Sequence, residues 1–132
     1  MTHQELIELA IKARKMAYAK YSEFAVGAAL LAEDGRVFTG CNVENASYGL
    51  AICAERTAIC KAVSEGCRKF TAIAVAAVPP DAVPHVSPCG ACRQFIVEFG
   101  QDIDVIAVNA EDSSQVKVWR ISELIPDNFK FE

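Results

Sequence analysis

Apolar residues along the chain fall into alternating helical and strand rhythms. Leu6, Leu9, Ala10, Ala13, Met16 and Ala17 recur at the steps of one helical face, behind Thr2 and Glu5, which have the form of a capping box. This predicts a first helix ending near Tyr18. Residues 26–31 and 37–43 are strand-like runs joined at Asp34-Gly35, which predicts a β-hairpin. Polar and small residues from 44 to 50 read as a loop, and residues 52–65 as a mostly buried helix that stops at Gly66. Residues 71–78 are apolar without a polar face, as in a central strand covered on both sides. Pro79, Pro80 and Pro84 mark the loop that follows. Residues 90–99 read as a third helix, 105–108 as another strand, 116–119 as an alternating strand nearer an edge, and 122–125 as a last helical turn. The order αββαβαβ(β)α predicts an α/β protein with a mixed sheet of about five strands and helices packed on it.

Length and composition narrow the class. The chain has 132 residues, the size of one domain, expected to span 1–132. Its formal net charge of −4 suits it poorly to tracking a nucleic acid backbone. A hydrophobic fraction of 52% exceeds what a small monomer needs and suggests burial between subunits. The start Met1-Thr2-His3-Gln4-Glu5-Leu6 lacks the basic and then apolar stretch of a secretion signal, and no apolar run approaches the roughly 18 residues of a membrane span. The expectation is a cytoplasmic protein, not bound to membrane, whose six cysteines are reduced thiols.

The cysteine spacing carries the chemistry. Cys53-Ala54-Glu55-Arg56 and Pro88-Cys89-Gly90-Ala91-Cys92-Arg93 each follow a loop and open a predicted helix. Cys89 and Cys92 share the face of a first turn and can grip one ion, while helix dipoles lower thiol pKa values. If the two helices lie side by side, Cys53 supplies a third thiolate. Three sulfurs on four-coordinate zinc leave one position for water, which makes such a site catalytic. Glu55 is placed to reach that water as a proton carrier. Zinc with three thiolates is a net negative centre, so hydrogen bonds from Arg56, or from Arg93, are needed to offset the sulfur charge; Arg56 is the first choice.

Cys-x-Glu followed by Pro-Cys-x-x-Cys is the zinc deaminase signature. Together with Asn42-Val43-Glu44-Asn45 and the run from Tyr21-Ser22-x-Phe24 to Leu124-Ile125-Pro126, it resembles the small homotetrameric cytidine deaminases of nucleoside salvage over nearly the whole chain. The resemblance implies a three-layer α/β/α fold and one Zn2+ per subunit. It also implies deamination of cytidine and 2′-deoxycytidine, with zinc-bound hydroxide attacking C4 and Glu55 moving protons to N3 and to the departing ammonia. By the same resemblance Asn42 and Glu44 bind the ribose 3′-hydroxyl, the Ala54 backbone binds the base, and Phe24 lies against the nucleoside. Tyr48 and Phe129 reach the active site of a neighbouring subunit of the homotetramer. A free 3′-hydroxyl is absent inside a polymer, so the partner is a small nucleoside and not a nucleic acid.

Other readings of the same residues exist. A closed structural zinc site would need a fourth protein ligand, for which Cys41 and His85 are available. A deaminase of the same fold could act on another aminopyrimidine such as blasticidin S. Cys41, Cys60 and Cys67 have no assigned role.

Overall fold

The computed structural model describes residues 1–131. Helix α1, His3–Arg14, starts as the sequence predicts: Thr2 Oγ1 accepts from Glu5 N at 3.1 Å, and Glu5 Oε1 accepts from Thr2 N at 3.0 Å. It ends earlier than the apolar periodicity predicts. Met16 is exposed, and Tyr18 leaves the helix to form an isolated bridge with Val43, its N–H donating to Asn42 O at 3.0 Å. Tertiary pairing therefore overrides helical rhythm at residues 15–18.

Strands β1, Gly27–Ala32, and β2, Val37–Cys41, form the predicted hairpin, with Gly35 at φ +95° in its turn. Helix α2 is Ala54–Ser64, β3 Phe70–Ala77, α3 Gly90–Val97, β4 Asp104–Asn109, β5 Asp112–Arg120 and α4 Ile121–Leu124; a single 3₁₀ turn spans Tyr48–Leu50. The sheet order is β2-β1-β3-β4-β5, with β3 and β4 parallel and the other pairs antiparallel. The mixed five-stranded sheet is the one expected. Strand β5 is longer than the apolar pattern of 116–119 suggests, because Asp112 also pairs, with Asn109 across a shift in register, and carries the exposed Ser113, Ser114 and Gln115 into this outer strand.

The two faces carry different helices. Leu6, Ile7 and Ala10 of α1 pack with Ala29, Ala74, Ala76, Ile106 and Val108 on one face. Ala54, Ala58, Ile59 and Ala62 of α2 and Ile96 and Val97 of α3 pack with Leu30, Phe38, Ile73, Val75 and Val105 on the other. The result is three layers, α/β/α. Alternate residues of β3 feed opposite cores, which explains its unbroken apolar sequence.

Gly40 sets how close α2 comes. A Cβ there would lie 2.6 Å from Ala58 N and 2.7 Å from Ala54 O, so the helix backbone rests directly on β2. Side chains at the start of α2 are thereby held against the sheet, beside the start of α3.

Candidate active site

Cys53 is the N-cap of α2 and Cys89 the N-cap of α3, while Cys92 sits one turn into α3 and is buried. Their sulfurs all lie within 4.8 Å of one another, and Cys53 Sγ and Cys89 Sγ are 3.9 Å apart. Tetrahedral zinc with Zn–S bonds of about 2.3 Å sets sulfurs about 3.8 Å apart, so the donor set fits that ion in size and chemistry. Among the described residues these three form the only cluster of possible ligands. His85 instead packs edge-on to Trp119, with ring centroids 5.0 Å apart, and Cys41 Sγ donates to Met16 O at 3.4 Å. Neither closes the site as a fourth ligand.

The surroundings tune these groups. Hydrogen bonding from Cys92, aided by Arg56 and Cys89, pulls the Cys53 thiol down to about 5 against the effect of burial. Hydrogen bonding to Cys53 and burial push the Cys92 thiol up. Arg56 Nη2 donates to Cys53 Sγ at 3.5 Å and reaches Ala51 O at the same distance. Arg93 does not share this role: its guanidinium donates to Pro88 O at 2.7 Å, Ser87 Oγ at 2.9 Å and Leu124 O at 2.9 Å. It fastens the loop before α3 to α4, a structural use that adjacency to Cys92 in sequence did not reveal.

Glu55 is only 4% exposed, and burial followed by the Cys53 charge pushes its carboxyl up to about 7, partly opposed by its own backbone N–H. It lines a cavity of about 200 Å³ together with Phe24, Val26, Asn42, Cys53, Ala54, Val75, Val86, Ser87 and Cys89. Glu44 and Tyr48 line a second cavity of about 240 Å³ with Tyr21, Ser22, Asn45 and Ala51. Tyr48 is 76% exposed and meets Tyr21 edge-on. Phe129 lies at neither cavity; its carbonyl accepts from Gln94 Nε2 at 3.3 Å beside the far end of α3, and its ring is exposed.

Hydrogen bonds between residues distant in sequence build the wall between these cavities. Asn42 Nδ2 donates to Phe24 O at 2.8 Å and Asn42 Oδ1 accepts from Val26 N at 2.9 Å. Glu44 Oε1 accepts from Tyr21 N at 2.9 Å and Ser22 N at 3.0 Å, and Ser22 Oγ donates to Glu44 Oε2. The side chains after β2 thus clamp the loop that carries Phe24. Ser22 stands in the Tyr21-Ser22-x-Phe24 run of the sequence without an assigned role, since a loop serine is solvated by default.

Three thiols close enough to share one ion, with no fourth protein ligand in the cluster among the described residues and a buried acid of raised pKa beside them, fit a zinc-dependent hydrolase on an α/β/α scaffold. The cytidine and deoxycytidylate deaminase zinc-binding region matches residues 1–108, and the chain belongs to this family, whose cofactor is zinc. It is 47% identical to a cytidine deaminase of Sporosarcina psychrophila, covering 100% of this chain and 94% of that protein, and 50% identical to one of Halalkalibacterium halodurans, covering 100% and 97%. A crystal structure of cytidine deaminase from Burkholderia pseudomallei superposes with a TM-score of 0.90 at 50% identity, covering 98% of this chain and 100% of that one. A blasticidin-S deaminase of Bacillus cereus is more distant, at 34% identity over 92% of this chain and 88% of its own.

Proposed function

We propose that this protein hydrolyses cytidine and 2′-deoxycytidine to uridine and 2′-deoxyuridine in cytoplasmic pyrimidine salvage, as a homotetramer of single-domain subunits. The C4–N bond of the base breaks, a C4–O bond forms from water, and the nitrogen leaves as ammonia. The observation that carries this reading is Glu55, an acid buried beside the three thiols in a cavity that also holds Phe24 and Asn42. Cys53, Cys89 and Cys92 would hold zinc, which when bound supplies a Lewis acid that brings water toward deprotonation at neutral pH.

Glu55 takes a proton from the attacking water and passes it to N3; after addition at C4 it takes the proton of the new C4 hydroxyl and gives it to the amino group, which leaves as ammonia while the C4 carbonyl forms. A carboxyl pushed up to about 7 exchanges protons in both directions near neutrality, which a solvated glutamate does poorly. Arg56, donating to Cys53, withdraws charge from the sulfur. Phe24 packs against the nucleoside, the Ala54 backbone binds the base, and Asn42 and Glu44 read the 3′-hydroxyl. The exposed rings of Tyr48 and Phe129, together with exposed Met16, Leu50 and Ile52, support subunit contacts through which Tyr48 and Phe129 enter a neighbouring site. No described helix is long and apolar enough to cross a membrane.

An ultraviolet assay over cytidine, deoxycytidine, free cytosine and blasticidin S tests the reading. Both nucleosides are expected to turn over, with cytosine far poorer. Comparable kcat/KM for cytosine and cytidine would remove the ribose contacts, and turnover confined to blasticidin S would replace the substrate.

A further inference from the structure

The Glu44 carboxylate has little acceptor capacity left. A carboxylate offers about four lone-pair sites, and the loop takes three: Tyr21 N and Ser22 N on Oε1, and the Ser22 hydroxyl on Oε2. The Ser22 hydroxyl is itself committed. It donates a hydrogen bond to Glu44 and accepts one from Phe24 N at 3.0 Å. A continuous chain of hydrogen bonds therefore runs from the Phe24 backbone through Ser22 to Glu44. The intervening residue, Glu23, sits at φ 60°, a left-handed conformation that a residue with a side chain adopts at a cost and that the clamp maintains.

The geometry points to Ser22 as a positioning residue for the sugar subsite: it fixes the Glu44 carboxylate so that one acceptor site faces outward, and it ties that site to the wall carrying Phe24. This rests on the proposed reading of Glu44 as the partner of the ribose 3′-hydroxyl. A single outward acceptor on a fixed, charged carboxylate accepts one hydroxyl donor and repels a 3′-phosphate, so the same device selects a free nucleoside over a nucleotide phosphorylated at that position. The Ser22 bonds, joined by that from Tyr21 N, also hold the Glu44 carboxyl below its ordinary range, keeping it an acceptor in mildly acidic solution.

The test uses the zinc-loaded protein and its Ser22→Ala and Ser22→Thr variants, each assayed on cytidine and on 3′-deoxycytidine. The quantity read is the ratio of the two kcat/KM values. Ser22→Ala is expected to lower that ratio roughly tenfold, since a freed carboxylate rotates and loses a charge-assisted bond to the hydroxyl. The loss on cytidine should appear mainly in KM, and Ser22→Thr, which retains the hydroxyl, should restore most of the ratio. A role confined to holding the loop would lower both substrates equally and leave the ratio unchanged, which overturns the proposal. Equal values for Ser22→Thr and Ser22→Ala overturn it too. If the unaltered protein does not distinguish the two substrates, the reading of Glu44 fails first and the proposal falls with it.

Discussion

Gly40→Ala places one methyl group where α2 rests on β2, some distance in sequence from every proposed zinc ligand. Its Cβ would lie 2.6 Å from Ala58 N and 2.7 Å from Ala54 O, about 0.8 Å inside the 3.4 Å at which ordinary contact begins. Both obstacles are helix backbone, so neither can rotate away and α2 must move off the sheet. Overpacking of this kind costs about 1–3 kcal/mol, which for a domain of this size lowers Tm by roughly 4–12 °C. The displacement also acts on the site, because Cys53 travels with α2 while Cys89 and Cys92 stay with α3. A metal centre tolerates errors of about 0.2 Å in its bonds, so a shift several times larger should weaken zinc binding. Thermal unfolding and the rate of zinc transfer to a colorimetric chelator measure the two effects. Gly35→Ala is the control: it also strains the backbone, at φ +95°, but meets no atom within 4 Å and leaves α2 in place. It should lose stability without faster zinc release. If Gly40→Ala keeps both the Tm and the zinc-release rate of the parent protein, Gly40 does not set the position of α2.

Three further outcomes are expected. Glu55→Gln should fold and keep its zinc while kcat falls by about 10²–10⁴-fold; near-normal turnover at full zinc content would take Glu55 out of the mechanism. Arg56→Ala should release zinc more readily, on the order of 10–100-fold weaker, as judged by competition with a chelator, and unchanged affinity would reduce the Arg56–Cys53 contact to a bystander. At the start of α1, the Thr2 N–H holds the Glu5 carboxyl below its ordinary 4.5, with the Thr2 side chain adding to the effect. The folded pKa is the lower one, so this contribution is complete above the ordinary value and disappears as pH falls through the folded value. The Tm difference between the parent protein and Glu5→Gln should therefore be present at neutral pH and shrink in acid, and a difference independent of pH would contradict the assignment.

What could be read from sequence was local. The N-termini of α2 and α3, the sharing of one helical turn by Cys89 and Cys92, and the placement of Glu55 two residues from Cys53 all follow from spacings of two or three residues, where helical geometry leaves little choice. The unbroken apolar run of β3 likewise announced a strand covered on both faces. Element ends were less legible: α1 stops at Arg14 although its apolar rhythm continues, because Tyr18 pairs with Val43. Only the fold decided that Cys53 meets Cys89, since 36 residues and a central strand separate them. The same holds for Asn42 and Glu44, whose bonds to the loop around Phe24 cross 16 to 23 residues, and for Arg93, which fastens α3 to α4 instead of joining Arg56 at a thiolate. Spacing along the chain specifies which groups share a helical turn; which turns face one another depends on the packing of both sheet faces, a property of the whole chain.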